Sequence, residues 1–349
     1  MQVTPVPSET HEVIYRVSDA ETGLLGFIAI HSTTLGPAAG GLRMRPYDSV
    51  EDALLDVKRL SEGMTFKNAA AGLSLGGGKA VIIGDPGTQK TPELLRAFAR
   101  TIQSLGGTYI TAEDMGMTPA DMAILATETA FVAGLTEGEF ASGDPSPITA
   151  RGIFNAIRTT WAHKHGSDAL TGVTVSVQGL GNVGWHLCEY LHDAGAQLVV
   201  TDVDAGRVQK AQSQFNARAV AIDEIYAAEA DIFAPCAIGG ILNAQTVPML
   251  KVSVVAGGAN NQLATDQDAG RLHARGILYA PDFVANGGGI INVATEVEKI
   301  RDRRSFVAAK LQALDETLKN TLDQASKRDV SPADVAIATV EAQMAAQAA

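Results

Sequence analysis

With 349 residues, the chain is long enough for two hydrophobic cores with a cleft between them. Apolar residues make up 46% and charged residues 19%, the balance of a globular chain and not of a disordered one. A net charge of −12 argues against a nucleic-acid partner, because phosphate binding needs a surplus of Lys and Arg.

The first twenty positions carry Pro5, Pro7, Glu9, Glu12, Arg16 and Asp19 without a long apolar run, which argues against a signal peptide. No 18-residue apolar stretch follows, so no membrane partner is expected and the cytoplasm is the expected location. Cys188 and Cys236 are too few for a disulfide framework and are expected to be buried and reduced.

Phe27–Ile30 and Val81–Ile83 are short apolar runs that predict strands, and between them Leu54, Val57, Leu60 and Met64 recur at helical spacing over 50–64. Thr91 predicts an N-cap, with Pro92 in the first turn. Leu94, Leu95, Phe98, Ile102 and Leu105 form the apolar stripe, and Gly106-Gly107 end the helix. Tyr109–Ala112 predicts another strand. Gly134, Gly138, Gly143, Asp144, Pro145 and Pro147 then break the pattern, so 134–150 is expected to be a linker at a domain boundary.

Beyond it, a helix over about 150–164 leads to strand-length apolar runs at Val173–Val177, Leu198–Thr201, Ile232–Ala234, Val252–Ala256 and Ile277–Ala280. The expected fold is α/β with two domains: an α/β substrate and oligomerisation domain and a Rossmann-type dinucleotide-binding domain with a doubly wound parallel sheet. The first is assigned 1–134 plus a C-terminal helix over about 328–349, the second 135–327.

Val173–Val177 runs into Gln178-Gly179-Leu180-Gly181-Asn182-Val183-Gly184, followed by the stripe Val183, Leu187, Leu191. Strand, G-x-G-x-x-G and helix occur in the order that seats a pyrophosphate at a helix N-terminus. Asp202 ends the next strand, eighteen residues after Gly184, where a carboxylate accepts from ribose hydroxyls and repels a 2′-phosphate. NAD is therefore expected over NADP, with nearby Arg207 as the residue that argues the other way. Cys236 and Ala237, and the run Gly257–Gln262 with Asn261, follow later strands on the side where cofactors dock.

Lys67 and Lys79 stand in the apolar, Gly-rich runs Met64–Gly72 and Leu75–Ala80. A desolvated ammonium either finds an anion or loses its proton, so one lysine suits a substrate carboxylate and the other a general base. Ala80 after Lys79 rules out a Walker-A loop. Glu113 and Asp114 sit at a strand tip, where Asp114 suits proton relay, and the seven histidines show no metal-ligand spacing.

Seven runs, Leu35–Gly41, Gly63–Asn68, Gly76–Lys79, Thr111–Gly116, Gly179–Gly184, Ala234–Ala237 and Pro281–Asn286, together resemble the Glu/Leu/Phe/Val dehydrogenase superfamily over nearly the whole chain, and look closest to its leucine branch. The resemblance implies reversible, NAD-dependent oxidative deamination of an apolar L-amino acid, with a phenylalanine-type substrate as the alternative and a catalytically inactive dinucleotide-binding regulator as a further one.

By the same resemblance, Lys67 holds the substrate carboxylate, Lys79 activates water and Asp114 assists proton transfer. Asn261 positions the substrate amino group or the nicotinamide, and Thr149 meets the nicotinamide amide. Ala39, Gly40, Met64, Ile290 and Val293 line a pocket without a charge for a glutamate side chain. Ala39 stands where leucine is common in that branch, which enlarges the pocket. Lys79 must be neutral, and burial together with the Lys67 charge is expected to lower its pKa. Assembly as a homodimer or octamer is implied, as is closure of the linker as a hinge.

Overall fold

The structure is a computed structural model that describes residues 1–348. By its contacts the chain divides into two compact units, Met1–Pro145 with Ile290–Val307 and the described residues from Gln343, and Ser146–Gly289 with Ala308–Ala342.

In the first unit the order is β1 (Gln2–Val6), β2 (Val13–Asp19), β3 (Leu24–Ser32), β4 (Ala38–Ala39), β5 (Leu42–Arg45), α1 (Val50–Ala70), β6 (Gly76–Ile83), α2 (Pro92–Ser104), β7 (Tyr109–Ile110) and α3 (Pro119–Ala126). The sheet runs β1-β2-β3-β6-β4-β7, with β5 also paired to β6. β1, β2, β3 and β6 are successively antiparallel, while β4 and β5 join β6 in parallel. Alternation along β3 decides what each face buries. Ile28 and Ile30 pack with Leu94, Leu95, Phe98 and Ile102 of α2, while Phe27 and Ala29 pack with Ala53 and Val57 of α1. Thr91 caps α2 by accepting from Leu94 N, the role expected of it.

The second unit opens with α4 (Ser146–His165). It continues through β8 (Thr174–Gln178), α5 (Asn182–Asp193), β9 (Gln197–Thr201), α6 (Ala205–Phe215), β10 (Arg218–Ala219), β11 (Ile232–Pro235), β12 (Val254–Val255), α7 (Gln267–Ala274), β13 (Leu278–Tyr279) and α8 (Asp282–Ala285). Its sheet is parallel throughout, in the order β10-β9-β8-β11-β12-β13. Counted along the chain, that is the doubly wound order 3-2-1-4-5-6, with its reversal between β8 and β11. The chain ends with α9 (Gly288–Val297), α10 (Arg303–Arg328) and α11 (Pro332–Ala348). No helix among the described residues is long and apolar enough to cross a membrane.

Four segments differ from their expected placement, one of them Ile290–Val307, which is expected in the second domain with the rest of 135–327 and belongs to the first unit. The linker is shorter, because helix α4 already begins at Ser146 and carries Thr149 in its first turn. Gly134–Pro145 belongs with the first unit, where the Glu296 carboxylate accepts from the backbone N–H groups of Gly134 (2.8 Å) and Ser142 (3.0 Å) and from the Ser142 hydroxyl (2.7 Å). The segment from 328 to 342 stays with the second unit, where Ala333 joins the core of Leu272, Ile277 and Tyr279. Residue 349 of the expected last helix lies outside the described residues.

Candidate active site

Gly77, the middle of three successive glycines at the start of β6, lets α1 approach closer than any side chain there would allow. A Cβ on Gly77 would lie 1.9 Å from Thr65 Oγ1 and 2.3 Å from Thr65 N. Ser61, Thr65 and Asn68, one polar stripe of α1, are fully buried, and Asn68 Nδ2 donates to Gly76 O at 2.6 Å. Helix α1, with Met64 and Lys67 on its last two turns, is thus fixed against the strand that carries Lys79.

Lys79 is only 5% exposed, and its Nζ lies 2.8 Å from Asp114 Oδ2. The same oxygen accepts from Arg43 Nε at 3.1 Å. Arg43 extends the chain of charges to Asp56 Oδ2 at 3.1 Å, which also accepts from the Tyr47 hydroxyl at 2.7 Å. Burial is the largest influence on Lys79 and pushes its pKa down; Asp114 opposes this and the Arg43 charge adds to it. Burial by itself would raise Asp114, but the Lys79 and Arg43 charges outweigh it and hold the carboxyl well below the usual range. The pair therefore consists of a carboxylate that stays ionised and an amine that gives up its proton more readily than a solvated lysine. The expectation that Lys67 supplies the neighbouring charge is corrected here, since the cation facing Lys79 across Asp114 is Arg43.

Ala39 is buried in β4 between Gly77 and Ile110, and a Cβ on Gly40 would reach Gly78 O at 1.9 Å and Met64 Cγ at 3.0 Å. The fully buried Tyr109 donates its hydroxyl to Gly40 O at 2.7 Å, which pins that backbone. A Cβ on Gly41 would meet Asp114 Cβ at 2.8 Å. The first unit thus gathers Ala39, Gly40, Met64, Lys79 and Asp114, with half-buried Lys67 one turn beyond Met64. Ile290 and Val293, both buried, lie one turn apart on α9 in this unit, on the helix that Glu296 ties to the 134–142 segment.

In the second unit, Gly179 has φ +97°, and a Cβ on Gly184 would lie 2.0 Å from Gly179 O, so both glycines are required by the turn. Gly181 caps α5 with no side-chain hydrogen bond, and a Cβ there would meet nothing within 4 Å, which leaves open space before the helix N-terminus. Asn182 is exposed and Val183 half-buried.

Asp202 accepts from Leu180 N at 2.5 Å and, through its other oxygen, from Asp204 N at 2.8 Å, so it braces the turn as well as facing the strand end. Arg207 pairs with Asp204. Cys236 N donates to Gln178 O at 2.7 Å, while exposed Ala237 abuts Gly179 and the Gly258 Cα faces Val183 and Cys236. The motifs expected to hold a dinucleotide therefore share the carboxyl ends of β8 and β11, at the topological switch. Cys188 is buried as expected, but Cys236 is only half-buried because it stands at that strand end. Asn261 adopts a left-handed φ of 50° and accepts from Gly240 N, and Thr149 is half-buried on α4.

Arg43, Asp56, Tyr47 and Tyr109 escaped the sequence reading. Arg43 stands in an alternating strand, Leu42-Arg-Met-Arg45, where it looks like any outward-facing residue. Only the pairing of β5 with β6, and the bridge between Leu42 and Glu113, brings it to Asp114.

Comparison with known proteins gives three findings. Residues 7–131 match the model of the Glu/Leu/Phe/Val dehydrogenase dimerisation domain, and 142–213 and 201–349 match that of glutamate/leucine/phenylalanine/valine dehydrogenase. Leucine dehydrogenase of Geobacillus stearothermophilus is 49% identical over 326 residues, 93% of this chain and 88% of that protein, and phenylalanine dehydrogenase of Caldalkalibacillus thermarum is 46% identical over 95% and 90%. The crystal structure of L-tryptophan dehydrogenase from Nostoc punctiforme superposes with a TM-score of 0.80 at 40% identity, covering 97% of each chain.

Proposed function

Because the chain belongs to the Glu/Leu/Phe/Val dehydrogenase family and is an amino-acid dehydrogenase, we propose that it reversibly deaminates a branched-chain L-amino acid, leucine first, to the 2-oxo acid and ammonia with NAD. The observation that carries this reading is the buried Lys79 amine held 2.8 Å from the Asp114 carboxyl, whose pKa the Lys79 and Arg43 charges hold down.

A bound nicotinamide would supply the acceptor for the hydride that leaves the substrate Cα. Lys67 is assigned to the substrate carboxylate. Lys79, as the neutral amine, takes a proton from the water whose oxygen adds to the iminium carbon of the substrate, returns it to the carbinolamine nitrogen, and takes the hydroxyl proton as the C–N bond breaks, the carbonyl forms and ammonia departs. Asp114 orients the amine and balances its charge while that proton is held. Since the amine must be deprotonated, activity rises with pH through the lowered pKa of Lys79.

Gly179, Gly181, Asn182, Val183 and Gly184 are assigned to the pyrophosphate, and Asp202 to the ribose. Cys236, Ala237, Thr149 and Asn261 are assigned to the remainder of the cofactor, and Asn261 also to the substrate amino group. The open space before α5 and the pairing of Arg207 with Asp204 support a dinucleotide without a 2′-phosphate. Ala39, Gly40, Met64, Ile290 and Val293 are assigned to the substrate side chain. The dimerisation-domain match supports a homo-oligomer, and the two free cysteines support the cytoplasm as location.

NADH formation, followed by absorbance with leucine, valine, phenylalanine, tryptophan and glutamate, tests the reading. Turnover with leucine that Lys79→Ala abolishes is expected. Silence across the panel, or turnover indifferent to Lys79→Ala, refutes it.

A further inference from the structure

A charge chain continues past the two residues assigned to the chemistry. Asp114 Oδ2 accepts from Lys79 Nζ at 2.8 Å and from Arg43 Nε at 3.1 Å, so ammonium and guanidinium compete for one oxygen and their nitrogens lie within about 6 Å of each other. Arg43 is held there from behind. Its terminal Nη1 donates to Asp56 Oδ2 at 3.1 Å, and Asp56 is itself fixed by the Tyr47 hydroxyl at 2.7 Å, with Arg45 lying over the Tyr47 ring at 4.3 Å. Three elements contribute: β5 carries Arg43, α1 carries Asp56, and the segment after β7 carries Asp114. The guanidinium side chain is 11% exposed, so water screens little of its charge.

We propose that Arg43 is a positioning residue of the reaction: anchored by Asp56 and Tyr47, it fixes the Asp114 carboxylate and biases the buried Lys79 amine toward its neutral, proton-accepting form. This rests on Lys79 being the base. Two like charges sharing a low-dielectric pocket disfavour each other, and a guanidinium does not give up its proton, so the Arg43 charge works against protonation of the amine, opposing Asp114. Asp56 tempers the effect by offsetting part of the Arg43 charge. The charged groups that act on Lys79 are Asp114 beyond β7, Arg43 on β5 and Asp56 on α1, with the Tyr47 hydroxyl beyond β5 bonded to Asp56.

The signs differ between variants, which separates a role in charge from a role in folding. Arg43→Met keeps most of the stem and removes the charge, so Lys79 should hold its proton to higher pH. The acidic limb of kcat/KM should then move up by about one pH unit or more. Asp56→Asn removes the tempering charge and should move the limb down. Arg43→Lys keeps a cation and should return the limb most of the way toward wild type.

The test measures pH profiles of kcat/KM for the intact enzyme and these variants. In parallel, the pH dependence of carbamylation of Lys79 by cyanate is read by peptide mass spectrometry, which reports the amine's protonation whether or not it is the base. Opposite shifts in Arg43→Met and Asp56→Asn, seen in both readouts, are the expected result. Unmoved carbamylation profiles, or shifts of the same sign, overturn the proposal even if one variant is too unstable to purify. Carbamylation shifts without a matching shift in activity instead overturn Lys79 as the base, and with it the catalytic role of Arg43.

Discussion

Replacing Gly77 by alanine adds one methyl group where the structure has no room for it. The new Cβ would stand 1.9 Å from Thr65 Oγ1, 2.3 Å from Thr65 N and 2.6 Å from Ser61 O. Rotating Thr65 moves only the first of these away, because the other two are backbone of a 21-residue helix. For Thr65 N to reach ordinary contact, taken as at least 3.4 Å, α1 must retreat by about 1 Å from β6. Overpacking of this kind costs ~1–3 kcal/mol of stability.

The same displacement carries Lys67 and Met64 away from Lys79, and a misplacement of about 1 Å in a catalytic constellation costs on the order of 100-fold in rate. Urea unfolding followed by circular dichroism and steady-state kcat/KM with leucine measure the two effects. NADH binding, measured by fluorescence, should be unchanged because the dinucleotide motifs lie in the other unit. Adding Thr65→Ala should recover only a small part of either loss. A Gly77→Ala enzyme with wild-type kcat/KM and urea midpoint would refute the close approach as the reason for the glycine, as would full rescue by Thr65→Ala.

Gly184→Ala places a Cβ 2.0 Å from Gly179 O and should weaken NADH binding at least ~10-fold by distorting the turn, read by fluorescence titration, while urea unfolding of the first unit stays as in wild type. Asp315 on α10 has its pKa raised to about 6, chiefly by burial, with Asn155 Nδ2 donating to it at 2.9 Å. Its folded pKa exceeds the ordinary value of 3.8, so the native state binds the proton more tightly and stability declines as pH rises from about 3.8 through about 6. Asp315→Asn keeps an acceptor for Asn155 without the charge. It should raise the melting temperature at pH 8 and leave it near wild type at pH 4; equal effects at both pH values would contradict the assignment.

The second unit was readable in advance because its signals are local. A strand of alternating β-branched residues, a glycine turn and an apolar helical stripe occur within the fingerprint segment itself, and each is dictated by sterics between near neighbours. The caps of α2 belong to the same kind of signal. The first unit was read less completely. The β1–β2 hairpin went unnoticed because Pro5 and a largely exposed β1 disguise it as a tail, and β4, at two residues, carries too little pattern to detect.

What the sequence by itself determined is the family and the two-part α/β organisation, and it singled out Lys67, Lys79, Asp114 and the glycine fingerprint as candidates, since each lies in a contiguous run whose residue types are already unusual for their position. What only the tertiary structure decided is which charge faces which. Arg43 and Asp114 are separated by 71 positions, and Arg43 reaches Asp114 because β5 pairs with β6 while the segment after β7 bridges Leu42. The Coulomb energy that tunes Lys79 depends on those distances and on burial, and neither is a property of any local stretch of chain.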